Sequence, residues 1–228
     1  MIDAVAIGTH PDDVEVGMGG TVLALQQQGW AIALLDLTDG EPTPTGSPEK
    51  RRAESRRAAE ILGVGWRRTL PMPNRYLEDT IANRKEIAAV LRELRPRVLF
   101  APYWDDAHPD HVAACRLIEA SRFYCKLTRS DIPGEPFPPP RIYHYFSNHY
   151  RLQPRPSFIL DITGHLERKL EAVRAYESQF NAARGNLAVL DRLRVHAAYW
   201  GSLIDREAGE VFVSREPIGV SGLSALCL

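Results

Sequence analysis

Two acidic histidine turns contain the residue types best suited to chemistry. His10-Pro11-Asp12-Asp13 directly follows the apolar run 5–8, and His108-Pro109-Asp110-His111 follows the apolar run 98–102. Imidazoles and carboxylates bind zinc and transfer protons. If both apolar runs are strands, the turns lie at strand ends, where open α/β sheets bind their ligands. The composition is typical of a catalytic metal site and not of a structural one, which relies mainly on cysteine.

Each turn also has a simpler interpretation. Proline and aspartate favour turns, so the first motif could merely end a strand. The second could start a helix, with Asp110 near its N-cap and two surface histidines. Because both motifs follow apolar runs in the same chain, we favour the metal site.

The spacing within the turns predicts distinct roles for neighbouring residues. His10 and Asp13, three positions apart, can bind a metal ion from one side of a turn, which leaves Asp12 facing the substrate. His111 on a first helical turn could bind the metal while His108, before the helix, points at the reacting group.

Apolar runs and turn signals predict an α/β protein. Predicted strands cover 4–8, 31–37, 97–102, 142–146, 157–162 and 211–214, and predicted helices cover 17–28, 49–62, 81–94, 110–124, 165–180 and 187–207. The opening βαβ order favours a parallel sheet with a right-handed crossover. We therefore expect one domain over residues 1–228, a Rossmann-like three-layer sandwich with a mainly parallel sheet and a small C-terminal elaboration.

The glycine run Gly17-Met18-Gly19-Gly20 is a weak nucleotide signal. It lacks the GxGxxG order and the lysine of a phosphate loop. We interpret these glycines as positions of close backbone approach. A nucleotide- or sugar-binding module without catalysis is the alternative from a different functional class, and it predicts no tight metal binding.

Composition excludes several kinds of partner. The 228 residues have a formal net charge of −1 and a sequence pI near 6.7, which argues against nucleic acid and anionic membranes. We see neither a secretion signal nor an apolar run of membrane-spanning length, and predict a cytoplasmic protein.

The cysteines and the other histidines favour ordinary structural roles. Cys115, Cys125 and Cys227 show no CxxC pairing, which predicts free buried thiols and no catalytic nucleophile. The remaining histidines are predicted to be polar or interface residues: His144, His149, His165 and His196. The first two could still line a pocket.

The two turns together resemble the LmbE-like (PIG-L) zinc N-deacetylases. Five further stretches narrow the resemblance: Leu37–Glu41, Gly46–Arg51, Leu70–Arg75, Phe100–Asp106 and Glu171–Phe180. They are similar to the bacillithiol-biosynthesis branch, whose members remove acetyl from N-acetylglucosaminyl-malate. The resemblance covers nearly the whole chain.

The resemblance implies the roles of the site residues. The implied ligands of Zn²⁺, or of Fe²⁺ in the cell, are His10, Asp13 and His111. Asp12 would accept the proton of the attacking water and return it to the leaving amine. His108 is the candidate to stabilise the oxyanion as an imidazolium, and Asp110 would orient His108 or His111.

Substrate contacts follow from the same resemblance. Arg51 matches a family arginine that contacts sugar hydroxyls, and Arg52 is the alternative. Arg75 is a candidate for a substrate carboxylate. One departure concerns Ala107, because many relatives of this branch have arginine there, and it leaves the substrate assignment open.

We therefore expect a zinc-dependent hydrolase that deacetylates a small GlcNAc conjugate, with GlcNAc-malate first. The alternative in the same class is another GlcNAc glycoside or a thiol-conjugate amide. The resemblance also implies a homo-oligomer, often a hexamer. Four tyrosines are candidates to approach the site: Tyr103, Tyr143, Tyr145 and Tyr176.

Overall fold

In the part of the chain that the structure describes, seven strands form one sheet and are joined by six helices. The computed structural model describes residues 2–138, 140–146, 152–181, 185 and 188–222. The strands are β1 (Ala4–Gly8), β2 (Ile32–Thr38), β3 (Trp66–Met72), β4 (Val98–Pro102), β5 (Arg141–Tyr145), β6 (Phe158–Asp161) and β7 (Gly209–Val213). The helices are α1 (Asp13–Gln27), α2 (Pro48–Leu62), α3 (Ile81–Leu94), α4 (Pro109–Cys125), α5 (Leu166–Arg174) and α6 (Ala188–Ser202). No helix in this described part is long and apolar enough to cross a membrane.

The sheet is mixed but mostly parallel, as predicted. Its strand order is β3-β2-β1-β4-β5-β7-β6, and only β7 runs antiparallel to its two neighbours. The strand order changes direction at β1, which pairs in parallel with β2 on one side and β4 on the other. Ligands of open α/β sheets bind where the order reverses. The turns after β1 and β4 therefore lie side by side.

Helices cover both faces of the sheet, which makes three layers. One apolar cluster joins the sheet to α3 and α4, and a second joins its other face to α1, α2 and α5. Every residue of β1 is buried. Strands covered on both faces consist of continuous apolar residues, which is why β1 and β4 were recognisable from the sequence.

The strand β3 was missed by the sequence prediction. It lies at one edge of the sheet, pairs with β2 alone and contains two arginines and Pro71. An edge strand tolerates proline because one side of its backbone needs no partner. Arg67 made the strand harder to recognise, because a charged side chain in the sequence suggests an exposed position. Its guanidinium is instead buried against Asp36 at 2.8 Å and Glu15 at 2.6 Å.

The glycine run lies within α1 and allows core side chains to pack closely against this helix. The helix is kinked at Met18, where φ is −150°. A side chain at Gly17 would overlap the Tyr145 ring, and one at Gly20 would lie 2.7 Å from Ile162. The expected close approach is confirmed, and the neighbours are core side chains of this protein.

Candidate active site

The two acidic histidine turns meet at the carboxyl edge of the sheet. The Nδ1 atom of His10 lies 3.2 Å from Nε2 of His111. The Asp13 carboxylate is beside both rings, with Oδ1 at 3.3 Å from Nε2 of His111 and Oδ2 at 3.6 Å from Nδ1 of His10. All three side chains are buried. Three potential ligand atoms from two turns a hundred residues apart therefore converge.

A carboxylate lies near the far nitrogen of each imidazole. Nε2 of His10 lies 3.6 Å from Asp110, and Nδ1 of His111 lies 3.2 Å from Asp106. Metal-bound histidines commonly have such a carboxylate partner, which fixes the ring and its tautomer. Asp110 was expected to orient His108 or His111, but its carboxylate faces His10 because it lies on the first turn of α4.

Asp106 is the site residue to which the sequence assigned no role. Its Oδ1 atom accepts a hydrogen bond from the backbone N–H of His108 at 2.8 Å, and its other oxygen faces His111. The signal was its position after β4 in the Tyr103–Asp106 stretch. That signal was ambiguous, because the adjacent Asp105 is exposed and chemically identical.

His108 completes the cluster as the N-cap residue of α4, and Asp110 lies in the first turn of the same helix. Its ring stacks on His111 with centroids 4.9 Å apart, and its centroid lies 4.8 Å from that of His10. Nδ1 of His108 accepts the Asp110 backbone N–H at 3.2 Å. The ring proton therefore belongs on Nε2, so His108 can donate a hydrogen bond as a neutral imidazole.

Asp12 lies between the cluster and a buried arginine. Its backbone has φ of 121°, a strained conformation for a residue with a side chain, and strain of this kind is concentrated at functional sites. Its Oδ2 atom is 3.2 Å from Nη2 of Arg51, whose Nε donates to the Pro11 carbonyl at 3.1 Å. The Asp12 carboxylate therefore pairs with Arg51, whereas the Asp13 carboxylate lies beside the two imidazoles.

The structure distinguishes Arg51 from Arg52. Arg51 is only 3% exposed, and its Nη1 atom has no hydrogen-bond partner among the described residues. The Arg52 side chain is 57% exposed and pairs with Glu49 on the outer face of α2. Only Arg51 therefore reaches the site.

Arg75 lies at the edge of the site and is exposed. Its Nη2 atom donates to the Pro42 carbonyl at 2.6 Å, while its backbone N–H donates to Asp110 at 2.5 Å. The backbone bond to Asp110 connects this loop to the histidine cluster, while the guanidinium lies at the rim of the site. The backbone of Arg75 has a positive φ of 71°.

One of the candidate tyrosines, Tyr176, lies beside Arg51. Its ring centroid lies 5.5 Å from the Arg51 guanidinium carbon, and its hydroxyl donates to Glu15 at 2.8 Å. Tyr145 is turned into the core, where its hydroxyl donates to the Ile7 carbonyl. His149 and Cys227 lie outside the described residues.

The two adjacent aspartates have opposite electrostatic environments in the metal-free protein. Burial raises the pKa of Asp12 to about 6 despite the opposing charge of Arg51. Burial also acts on Asp13, but His111 and His10 outweigh it and hold the pKa of Asp13 well below its usual range. Asp13 is therefore anionic at neutral pH.

Neighbouring carboxylates raise the pKa values of the two buried imidazoles, His10 and His111. Burial opposes the charged form of His10, but Asp110 and Asp13 outweigh it and raise its pKa to about 9. For His111 burial is likewise outweighed by Asp13 and Asp106, and its pKa rises to about 10. Such a site attracts a cation, either protons or a metal ion.

The donor set fits a divalent metal ion. Two buried ring nitrogens face each other at 3.2 Å, and the Asp13 carboxylate faces both. Two imidazoles and one carboxylate suit Zn²⁺ or Fe²⁺. One ring nitrogen from each of His10, His108 and His111 also lies within 4.8 Å of the other two, so His108 is a further potential ligand.

A parallel sheet with a buried His/Asp/His cluster at its switch point is typical of α/β metallohydrolases. The sequence profile of the PIG-L family, described as GlcNAc-PI de-N-acetylase, matches residues 5–121. This chain belongs to the PIG-L (LmbE-like) deacetylase family.

Known relatives fall in the same family. A diacetylchitobiose deacetylase of Thermococcus kodakarensis is 35% identical over 76% of this chain and 68% of its own length. A probable N-acetyl-alpha-D-glucosaminyl L-malate deacetylase 2 of Bacillus anthracis is 28% identical over 75% of this chain and 78% of its own. The crystal structure of a conserved protein from Thermus thermophilus superposes with a TM-score of 0.90 at 37% identity, covering 96% of this chain and 97% of that one.

Proposed function

We propose that this protein is a metal-dependent hydrolase that removes the N-acetyl group from a small GlcNAc conjugate. The observation that carries the proposal is the convergence of His10, Asp13 and His111 beside a strained Asp12. Family membership supports the deacetylase class.

In this proposal the ion is held by three side chains: His10, Asp13 and His111. Zn²⁺, or Fe²⁺ in the cell, would polarise the acetamide carbonyl and bring the pKa of a bound water to roughly 7. Asp110 and Asp106 keep the two rings oriented toward the ion. The engagement of Nδ1 of His108 by a backbone N–H supports Asp13 as the third ligand.

Asp12 acts as the general base in this proposal. It accepts a proton from the attacking water and later donates it to the departing amine, which is too basic to leave unprotonated. A carboxyl whose pKa is raised by burial suits both transfers better than an ordinary surface aspartate. Arg51 fixes the carboxylate in place from its far side.

His108 stabilises the oxyanion. Its Nδ1 atom accepts a backbone hydrogen bond, so the Nε2–H group is the donor directed to the developing charge. This differs from the imidazolium predicted from the sequence, although the position of the residue is the same.

Arg51 also supplies the sugar contact. Its Nη1 atom is buried without a partner among the described residues, and a buried unpaired donor is costly. A hydroxyl of the bound sugar would satisfy it. The Arg51 guanidinium would then bind Asp12 through Nη2 and the sugar through Nη1. It would thereby fix the position of the substrate relative to the general base.

For the specific conjugate we propose N-acetylglucosaminyl-malate as the first candidate. Arg75 at the rim is exposed and suited to a carboxylate. Ala107 offers no second cation. The 35% identity to a diacetylchitobiose deacetylase supports a second candidate, N,N'-diacetylchitobiose.

We also propose a cytoplasmic homo-oligomer that binds neither nucleic acid nor membranes. Two buried free cysteines, Cys115 and Cys125, suit a reducing compartment. Val195 and Tyr199 on α6 and Leu203 directly after its end are each at least 44% exposed and recur every four residues. Such an apolar stripe supports a subunit contact.

Acetate release from GlcNAc-malate, N,N'-diacetylchitobiose and free GlcNAc tests the proposal. Metal-loaded protein should turn over one conjugate far faster than free GlcNAc, and Arg75→Gln should slow only the malate conjugate. Faster turnover of diacetylchitobiose would assign the second candidate. Turnover of none of the three would refute the substrate class.

A further inference from the structure

A second cluster of potential ligands lies outside the candidate active site. Cys115 and Glu119 are one turn apart on α4, and His144 faces them from β5. One ligand atom from each lies within 4.8 Å of the other two. Cys115 and His144 are both 0% exposed. None of these residues has a role in the deacetylation proposed above.

The geometry of His144 leaves one ring nitrogen unsatisfied. Nδ1 lies 3.3 Å from the Val213 carbonyl, so the ring proton belongs there. Nε2 then presents a lone pair 3.0 Å from Oε1 of Glu119, without the alignment of a hydrogen bond. Two electron-rich atoms this close in a buried site are stabilised by a proton or by another cation between or beside them.

Arg215 provides a cation in the metal-free protein. Its Nε atom donates to Glu119 at 2.7 Å, and its guanidinium carbon lies 4.0 Å from the Trp104 ring centroid. The Arg215 side chain is 49% exposed and follows the end of β7, so it can move into solvent without opening the core. It does not satisfy Nε2 of His144.

We propose that Cys115, Glu119 and His144 form a second metal-binding site, selective for a thiophilic divalent ion such as Zn²⁺, which displaces the Arg215 guanidinium from Glu119. A thiolate, an imidazole and a carboxylate are all established zinc ligands. The thiol proton is released to solvent on binding, and no bond other than the S–H bond is broken.

The proposed site lies against the segment that carries Asp106. Trp104 packs edge-on against the His144 ring, with centroids 5.0 Å apart, and Asp106 follows two residues later. Anchoring His144 and freeing Arg215 would change the packing of Trp104.

Burial raises the pKa of the Cys115 thiol to about 12, with Glu119 acting in the same direction. The metal-free thiol is thus protonated at neutral pH. Because binding releases this proton, the apparent Kd should fall about tenfold for each unit of pH increase below that pKa.

Cobalt substitution of the full chain tests the proposal. Co²⁺ bound by a thiolate has a charge-transfer band in the near ultraviolet, which a His/Asp/His site lacks. We expect this band to saturate at about one thiolate-bound ion per chain, counted separately from the active-site ion, and to be lost in Cys115→Ser but retained in the matched control Cys125→Ser, a buried cysteine on the same helix. The Cys227→Ser variant should also retain it.

Two further variants separate this site from the proposed active site. His111→Ala should lose deacetylation but keep the band, whereas Cys115→Ser should lose the band but deacetylate normally. Arg215→Gln should lower the Kd of the thiolate site on the order of tenfold, because a competing positive charge is removed. Absence of the band, its survival in Cys115→Ser, or no tightening in Arg215→Gln would overturn the proposal.

Discussion

At the scale of single residues, the candidate site is governed by the different surroundings of Asp12 and Asp13. Asp13 lies between two imidazoles, which favour its charged form. Asp12 is turned by its positive φ toward Arg51, in a buried environment that favours the neutral form. Neighbouring titratable groups whose pKa values are shifted in opposite directions commonly take different acid–base roles. Here one carboxylate is suited to bind a metal ion and the other to transfer protons.

Substituting Asp12 and His111 should separate these two roles. Asp12→Asn removes the base but no proposed ligand, so it should retain one active-site ion and lose about 10²–10⁴-fold in kcat. His111→Ala should lose the ion itself. Metal content by mass spectrometry and kcat on the same samples provide the check. Equal loss of metal in both variants would contradict the assignment.

The neighbouring arginines provide a matched pair for the substrate contact. Arg51→Gln should lower kcat/KM by on the order of 10²-fold, because it removes both the support of Asp12 and the proposed sugar contact. Arg52→Gln should leave kcat/KM within about twofold, since surface pairs such as Arg52–Glu49 contribute little. Steady-state kinetics would show the difference, and comparable losses in the two variants would remove Arg51 from the site.

The sequence could indicate the central residues of the candidate site but not the carboxylates that lie beside its histidines. His10, Asp13 and His111 were recognisable because two motifs each follow an apolar run. The partner of His111 was not, because Asp105 and Asp106 differ only in where a loop directs them. The contact of Asp110 with His10 likewise depends on how two separate turns approach each other.

At the scale of elements, the fold follows from buried parallel strands alternating with amphipathic helices. This pattern predicted every strand but β3, together with all six helices. The predicted helix 165–180 is shorter in the structure and ends at Arg174. The residues that follow leave the helix, and among them the Tyr176 ring lies beside the Arg51 guanidinium. Strand β3 escaped prediction because its arginine side chain is buried by ion pairs, which no hydrophobic pattern records.

That buried arginine gives a stability prediction with an internal control. Arg67→Met leaves Glu15 and Asp36 buried without their cation, and it should lower the free energy of unfolding by about 3–5 kcal/mol. Arg68→Met on the same strand breaks the exposed pair with Glu93 and the contact of the guanidinium with the Trp66 ring, and it should cost about 1 kcal/mol or less. Urea denaturation measures both. Equal losses would mean that the Arg67 network contributes no more than a surface pair.

At the scale of the whole molecule, the strand order brings the two chemical motifs together. β1 and β4 are distant in sequence but adjacent in the sheet, so their carboxyl ends share one crevice. The parallel arrangement was predictable from the βαβ pattern, and the convergence followed from it. The antiparallel placement of β7 between β5 and β6 was not, because its pairings are decided by long-range packing.

The charge balance of this crevice predicts how stability depends on pH. In the metal-free protein the pKa values of His10 and His111 are raised to about 9 and about 10, above the ordinary value of 6.5. Their contribution is therefore complete below pH 6.5 and is lost as the pH rises through these values. Metal binds the neutral rings, so metal-loaded protein should resist this loss. Thermal unfolding from pH 6 to 10, with and without chelator, should show a gap in Tm that widens with pH. A constant gap would contradict this charge balance.

The most direct test of the account is to restore activity to metal-free protein with measured amounts of Zn²⁺. Acetate release from the better of the two conjugates should rise with added metal and reach a plateau at about one active-site ion per chain in the Cys115→Ser background. It should remain absent in His111→Ala at the same metal load. Full activity in chelated protein, or activity in the metal-loaded His111→Ala variant, would contradict a metal-dependent deacetylase built on His10, Asp13 and His111.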